Sequence, residues 1–520
     1  MALFIPSRRT VLGGLLSAPF ILPSTARAQA LGFADYPFTL GVAAGDALPD
    51  GFVIWTRLAP RPLEPQGGMP LKPVAVDWEV AEDDGFRTVV AKGQQSAYPE
   101  LAHSVHVEVA KLKPGRPYWY RFKCGGEKSL TGLARTLPAA GAKVDRVRFA
   151  SVGCQHFESG WYTAYRHVAE EELDFVFHYG DYIYEYASGI PLDAFDRPME
   201  PVRKYIGREP YTLGDYRIRY AQETIDADLM AARAAHPWFC TYDDHEIQNN
   251  WAGQWDQNGT PPELFVLRRR QALQAWYEHM PVRRSALLAD GTADFHSRAD
   301  FGDLVRMHFP NTRLYRTDQP CGDNFKPACA QMNAAGAQMI NAEQERWLGE
   351  GFASSRQRWQ GLAQQVMMNP LDRRTPDHDG PQPILNMDSW AGYPAQRERL
   401  FAQFGRHPGG NVVVLTGDEH QNFAQDLLHD GKVVASEFVS TSISSGGDGH
   451  DVRPGNDKLM ADNPNLKWTN DRRGYVVSEV TPSAWTGHFR TLDAVTEKGL
   501  PIKTAGRWAI EAGKPGLAKA

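Results

Sequence analysis

The hydrophobic pattern of this chain changes period near residue 140, and that change fixes what each part can fold into. From Phe38 to about Pro138 the period is two. Val74, Val76, Trp78 and Val80 alternate with polar or small residues, as do Val105, Val107 and Val109, and then Tyr118, Tyr120 and Phe122. Neighbouring side chains of a strand point to opposite faces, so these runs have one buried and one solvated face. With Gly, Pro and Asp turns between them, residues 36–138 are expected to form a small all-β antiparallel sandwich. Leu137 to Lys143 reads as a linker of small residues. Beyond it the runs Val147 to Val152, Phe175 to Phe177 and Val412 to Leu415 are apolar throughout, as strands covered on both faces are. Between such runs, Trp161, Tyr165 and Val168 share one helical face, and Phe265, Ala272 and Trp276 another. Residues 145–495 are therefore expected to be an α/β (α+β) domain of layered β-sheet with helices. Residues 501–520 carry few apolar side chains and are expected to be a C-terminal tail.

In the first segment, Leu112-Lys113-Pro114-Gly115 ahead of Tyr118 has the layout of a tyrosine corner, which points to an immunoglobulin- or fibronectin-like sandwich. Its reactive side chains do not cluster, so its expected role is structural. At 520 residues the chain is long enough for two sizeable cores. A formal charge of −6 lacks the basic surplus that nucleic acid or an anionic membrane would require. A phosphate substrate would then need positive charge from bound metal cations.

Residues 1–30 read as an export signal. Ser7-Arg8-Arg9-Thr10-Val11-Leu12 is a twin-arginine stretch, the apolar run Val11 to Pro23 follows, and small residues offer cleavage near Ala28 or Ala30. The run is too short and too broken to anchor the chain in a bilayer. Ordinary secretion is the alternative, because Val11 stands where Phe is usual. The expectation is a periplasmic or secreted protein that uses the twin-arginine export machinery. Export permits disulfides. Cys321 and Cys329, close together in a polar loop, are the candidate pair, while Cys124 and Cys240 in apolar runs read as buried hydrophobes.

The chemistry gathers at the ends of predicted strands. Phe175-Val176-Phe177-His178-Tyr179 runs into Gly180-Asp181-Tyr182-Ile183-Tyr184. Trp238 to Tyr242 runs into Asp243-Asp244-His245-Glu246, Val412 to Thr416 into Gly417-Asp418-Glu419-His420, and the first strand into Gly153-Cys154-Gln155. Carboxyl ends of strands in an α/β sheet converge on one edge, so these clusters can meet in one crevice. Aspartate and histidine suit divalent and trivalent metals, and an anionic Tyr or Cys favours a strongly acidic ion such as Fe³⁺. One carboxylate bridging two metals would hold them at the separation of about 3.5–4 Å that two-metal phosphoryl chemistry uses.

Gly180 to Tyr184, Asp243 to Glu246 and Gly417 to His420 resemble the motifs of the alkaline phosphatase D family, and more distantly those of purple acid phosphatases and other metallophosphoesterases. The resemblance extends to Gly41 to Asp46, Ile54 to Arg57, Asp388 to Tyr393, Thr441 to Gly447 and Arg473 to Val476. It implies a metallophosphoesterase fold and an exported phosphodiesterase and phosphomonoesterase that uses iron and calcium at alkaline pH. Carried over by position, it places iron on Cys154, Asp181, Tyr184 and His420. Asp181 then bridges to calcium, with Asp244 and Asp418 as further ligands; an aspartate at 244, where purple acid phosphatases carry Asn, suits Ca²⁺. His245 is assigned to leaving-group assistance, and attack on phosphorus to a metal-bound hydroxide. Asn311-Thr312-Arg313 departs from the usual Asp-Thr-Arg, which leaves open the role of its first residue but not the metal core.

Each of these residues also has a bland reading. Cys154 alone would be a packed core cysteine, and Asp181 with Tyr184 a turn with an aromatic anchor. Asp418 would orient a ligand from outside the metal core, and Asp243 would be a cap or a support. His245 is alternatively a ligand. His178, His236 and His308 lie in apolar runs and read as core histidines, Arg268-Arg269-Arg270 as a solvated helix face, and Thr441, Ser442 and Ser444 as a Gly/Ser-rich loop, not nucleophiles. A different class altogether would be an exported phosphate- or metal-binding protein without turnover.

Overall fold

The computed structural model of the protein describes residue 33 and residues 35–193, 197–374, 380–407 and 410–520. The signal segment lies outside the described residues. Two sheets face one another across a shared apolar interior. The ten-stranded sheet runs, in spatial order, Lys514–Lys519, Lys503–Glu511, Ala484–Thr491, Gly474–Val480, Val147–Val152, Phe175–His178, Pro237–Cys240, Val42–Leu48, Gly51–Arg57 and Ser104–Val109. The seven-stranded sheet runs Ser297–Phe301, Val305–Phe309, Trp359–Ala363, Val412–Thr416, Lys432–Val439, Asn422–His429 and Leu466–Asn470.

Aromatic rings fill the space between the sheets. Phe149 stacks on Phe175 at 4.4 Å between centroids, Phe175 on Phe301 at 4.9 Å, and Phe239 on Phe309 at 4.8 Å. Such pairs contribute about 0.5–1.5 kcal/mol each beyond their buried area. The outer face of the ten-stranded sheet is covered by helices Thr163–Glu170, Leu213–Thr224, Ala227–Ala235 and Pro262–His279. Helices Ala342–Ser354 and Pro394–Phe404 cover the outer face of the seven-stranded sheet. This is a layered α/β architecture, and it explains why Phe175–His178 and Val412–Thr416 are buried on both faces.

The first segment is all-β. A smaller sheet of Val89–Ala97, Val74–Ala81, Pro117–Cys124, Glu127–Lys128 and Gly132–Arg135 packs through Val76, Val80, Tyr120 and Phe122 onto Val42, Phe52, Ile54 and Val107. The tyrosine corner is made: Lys113 N–H donates to the Tyr118 hydroxyl at 2.9 Å. The second layer, however, is not private to this segment. Val42–Leu48 pairs parallel with Pro237–Cys240, Ala44 opposite Pro237 and Gly45 opposite Trp238, so the layer is the end of the ten-stranded sheet. Alternation reveals a strand and its faces but not its partner, and this pairing spans nearly two hundred residues.

Two further expectations are corrected. The stretch 501–520 is no tail: Lys503–Glu511 and Lys514–Lys519 are the last two strands of the large sheet. An outermost strand is solvated on one side, so it needs few apolar residues. Arg268 is no solvated side chain either. It is buried, donating from Nε to the Tyr216 hydroxyl at 2.8 Å, from Nη1 to Gln248 at 3.0 Å and from Nη2 to Glu209 at 2.8 Å. Cys321 and Cys329 form a disulfide, and Cys124 and Cys240 are buried free thiols. No helix among the described residues is long and apolar enough to cross a membrane.

His178, His236 and His308 are all buried. At His308, Arg298 Nε donates to Nδ1 at 3.2 Å, and Nε2 donates to Gln360 Oε1 at 2.9 Å. A guanidinium cannot accept, so Nδ1 stays unprotonated; burial, with Arg298 and Arg306 nearby, pushes the pKa down to about 3. The folded protein therefore refuses a proton that the unfolded chain takes up below about pH 6.5, and this stability is lost as pH falls. His308→Asn is expected to be less stable than the parent at pH 8. The gap should close by about 1.4 kcal/mol per pH unit between pH 6 and 4. Denaturant unfolding at pH 8, 6 and 5 checks this; a gap independent of pH would refute the buried neutral imidazole.

Candidate metal centre

The polar motifs meet where the parallel strands of both sheets end. Cys154 follows Val147–Val152, Asp181 follows Phe175–His178, Asp243 and Asp244 follow Pro237–Cys240, and Asp418 and His420 follow Val412–Thr416. Four of these residues have left-handed backbone: Cys154 at φ 51°, Asp181 at 55°, Asp418 at 70° and His420 at 51°. Side chains other than glycine adopt that region at a cost of about 1–3 kcal/mol, and such strain collects at functional sites. The glycines ahead of Cys154 and Asp418 answer a packing demand. A Cβ on Gly153 or Gly417 would stand 2.3 Å or 2.2 Å from the ring of Tyr179, which is wedged between the two loops.

Three overlapping sets of donor atoms result, each within 4.8 Å: Cys154, Asp181 and His420; Asp181, Asp244 and His245; Asp243, Asp244 and Asp418. Asp181 belongs to the first two sets and Asp244 to the last two. The Tyr184 hydroxyl lies 3.0 Å from Asp181 Oδ2, 3.1 Å from His420 Nε2 and 2.6 Å from the Ser445 hydroxyl. Its ring stacks on His245 at 4.1 Å between centroids. His245 Nδ1 is held by Glu185 Oε2 at 2.8 Å, while Nε2 lies 3.9 Å from Asp244 Oδ2. All six metal-ligand candidates and His245 are thus brought together. A cavity of about 510 Å³, lined by Tyr184, His245, His420, Tyr186, Ile190 and Arg453 among others, opens beside them.

Several residues that carry the site were not singled out by sequence reasoning. Glu246 accepts N–H bonds from Asp181 at 3.1 Å, Tyr182 at 2.6 Å and Asp243 at 2.8 Å, so it ties two motif loops together. Its only signal was its place at the end of the Asp-Asp-His-Glu run. Arg313 is fully buried. It donates to Asp243 from Nε and grips Asp388 in bidentate fashion at 2.8 and 2.6 Å, with Asp244 Oδ1 at 3.6 Å. Arg473 donates to the carbonyl of His420 and to that of Gly447. Asn311 is buried outside the donor sets; its Oδ1 accepts from the N–H of Arg313 and Leu314. Ser442 and Ser444 donate to backbone carbonyls, as structural loop residues do.

The electrostatics of the donor cluster call for cations. Burial raises Asp181 well above the carboxylate range, with Asp244, Asp243 and Glu246 adding to the rise and His245 opposing it. Asp418 is raised in the same way by burial and by Asp243 and Asp244. Burial and the neighbouring carboxylates also raise the Cys154 thiol, and burial and Asp181 raise the Tyr184 phenol. Of the donor carboxylates Asp244 alone goes down: burial opposes its charge, but His245, Arg313 and the N–H of Asn250 outweigh it. His420 is held at about 3 by burial, with Arg473 and His245 adding to the effect. It is therefore a neutral imidazole, the form that ligates metal. Asp181 Oδ1 and Asp244 Oδ1 are buried without any hydrogen-bond partner. Two orphaned carboxylate oxygens among crowded acids, with a thiol, a phenol and a neutral imidazole beside them, fit cations of the hard and intermediate kinds.

Facing sheets thus bring acidic, imidazole, phenol and thiol donors together at their shared carboxyl edge, the arrangement of a metal-binding enzyme site. Residues 149–489 match the family model for PhoD-like phosphatase, and residues 24–138 match that for the N-terminal domain of PhoD-like phosphatase. The chain belongs to the PhoD-like phosphatase family. It is 45% identical over 492 residues to alkaline phosphatase D of Bacillus subtilis (strain 168), which covers 94% of this chain and 83% of that protein. A solved structure of PhoD superposes with a TM-score of 0.90 at 45% identity, covering 94% of this chain and 93% of its own.

Proposed function

We propose that this chain is an exported phosphatase that hydrolyses phosphate mono- and diesters at alkaline pH, at a centre of iron and calcium. The observation that carries the reading is the position of Asp181. Its donor atoms are shared between the set containing Cys154 and His420 and the set containing Asp244, the place of a bridging carboxylate. Cys154, Asp181, Tyr184 and His420 are assigned to Fe³⁺; Asp181, Asp244 and Asp418 are assigned to Ca²⁺. Cations bound there lower the pKa of water and neutralise the charge that gathers on the phosphoryl oxygens. The protein's own groups do the rest. Arg313 and Glu246 hold the acidic loops in place. Glu185 fixes the His245 ring through Nδ1, which leaves Nε2 to donate a proton to the departing oxygen. The twin-arginine stretch supports export of the folded, metal-loaded protein.

Metal-stripped protein given iron and calcium should release p-nitrophenol from both p-nitrophenyl phosphate, a monoester, and bis(p-nitrophenyl) phosphate, a diester. Either metal alone should restore little. A phenolate on Fe³⁺ absorbs visible light, so the reconstituted protein should be coloured, and Tyr184→Phe should shift or abolish the band. Binding of both metals without turnover of either ester would favour a binding protein. An unchanged band in iron-replete Tyr184→Phe would assign that ligand wrongly.

A further inference from the structure

The Asp244 side of the centre leans on a loop that is closed covalently. The disulfide between Cys321 and Cys329 brackets Asp323. Asn250 Nδ2 donates to both oxygens of Asp323, at 2.8 and 3.0 Å, and the backbone N–H of Asn250 donates to Asp244 Oδ2 at 2.7 Å. The carbonyl of Asn250 accepts from Gln319 Nε2 at 2.6 Å, and the same amide donates to Asp388 Oδ1 at 2.6 Å. Asn250 has a φ of 52°, a conformation that asparagine tolerates better than most residues. On its far side the loop is pinned by the Met387 N–H to the Asn324 carbonyl at 3.0 Å, and by pairing of Phe325–Pro327 with Ile384–Asn386. Gly322 and residues 324–327 are exposed. The stretch around Asp323 therefore has little packing of its own, Cys321 and Ala328 rest on the apolar cluster of Met332, Leu385 and Met387, and the cross-link limits the alternatives open to the loop.

We infer that Asn250 and Asp323 are positioning residues for the second cation. The disulfide-closed loop places Asp323, Asp323 clamps the Asn250 amide, and the Asn250 N–H fixes one oxygen of Asp244 while Oδ1 accepts no hydrogen bond and has only the Arg313 guanidinium nearby, at 3.6 Å. Neither residue would touch the metal. The inference rests on the assignment of Asp244 to the calcium site.

The test is calorimetric titration of calcium chloride into full-length, iron-loaded, calcium-stripped protein. Asn250→Gly keeps the left-handed backbone and its N–H but removes the amide; Asp323→Ala removes the other half of the clamp. Each is expected to weaken calcium binding by about 10–100-fold, the usual effect of losing a group that orients a ligand. The double variant should lose no more than either alone, because both changes break one contact. Cys321→Ser with Cys329→Ser should weaken binding in the same direction. Iron content and the visible band should stay as in the parent throughout. Asp244→Asn separates the possible failures. If it weakens calcium binding while the clamp variants bind like the parent, the positioning inference is wrong and the assignment of Asp244 stands. If Asp244→Asn itself binds calcium like the parent, the assignment falls and takes the inference with it. Additive losses in the double variant, or loss of iron together with calcium, would also overturn it.

Discussion

His245→Ala is expected to slow hydrolysis of alkyl phosphate esters by about 10²–10⁴-fold, the usual contribution of a positioned general acid. An alkoxide is a poor leaving group and needs a proton as its bond to phosphorus breaks. A p-nitrophenolate leaves unaided, so hydrolysis of p-nitrophenyl esters should fall by less than about tenfold. The geometry supports this division. Glu185 holds Nδ1 at 2.8 Å, the ring is stacked on Tyr184, and the imidazole lines the cavity beside the donor cluster. Burial disfavours charge on the ring, yet Asp244, Tyr186 and Glu185 together raise its pKa well above the histidine range, so it is poised to carry a proton. A competing arrangement exists, since the donor atoms of His245, Asp181 and Asp244 lie within 4.8 Å of one another. Metal analysis of the variant decides between them. Loss of a metal would make His245 a ligand, and equal losses on both ester types would make it a phosphate-positioning group.

Arg313→Met is expected to be the most destabilising single change near the site, at about 3–5 kcal/mol in metal-free protein. That is the range for stranding buried charges by removing their partner. Asp243 and Asp388 are both buried and both grip this guanidinium; Asp388 keeps Arg316 at 2.6 Å, so Asp243 is the charge that is stranded. The loss should depend on pH. Burial already raises Asp243 to about 6 with Arg313 opposing the rise, and without the arginine its pKa must climb further. An acid raised on folding loses stability as pH increases through the interval between its unfolded and folded pKa values. In the variant that interval extends upward, so the gap to the parent should open above about pH 6 and be widest under alkaline conditions. Arg313→Lys keeps the charge but not the bidentate fork, and should fall between the two. Denaturant unfolding at pH 5.5 and pH 8.5 measures the effect. Equal losses at both pH values would show that packing, not charge, is what Arg313 supplies.

The donor residues were legible because each motif couples an apolar run to an acidic turn, and strand ends converge in any sheet of parallel strands. Cys154 became legible only through its place after the first such run. The supports were harder to see. Glu246 and Arg313 act by joining loops that are far apart in sequence, and neither buried arginines nor buried glutamates announce themselves by spacing. Arg268 shows the same limit, since three consecutive arginines on a helix conceal which of them faces inward. The last strands were missed for a different reason. Ile502, Thr504, Gly506, Trp508 and Ile510 do alternate with their neighbours, but Lys503–Glu511 and Lys514–Lys519 form the sheet's outer margin and bury too little to look like strands by composition.

The pairing of Val42–Leu48 with Pro237–Cys240 means that the gene has no clean place to be cut. A truncated product beginning at residue 149 would display the bare flank of Pro237–Cys240, a row of unmet N–H and C=O groups of the kind that recruits foreign strands into aggregates. One ending at residue 489 would strip Lys503–Glu511 from Ala484–Thr491 in the same manner. Chimaeras that exchange the first segment between relatives must reproduce a main-chain register as well as a junction. At Gly45 even a methyl group would come within 2.6 Å of the Trp238 carbonyl and 2.4 Å of that of Pro281. The amino-terminal strands are thus inherited together with the catalytic sheet, as one indivisible unit.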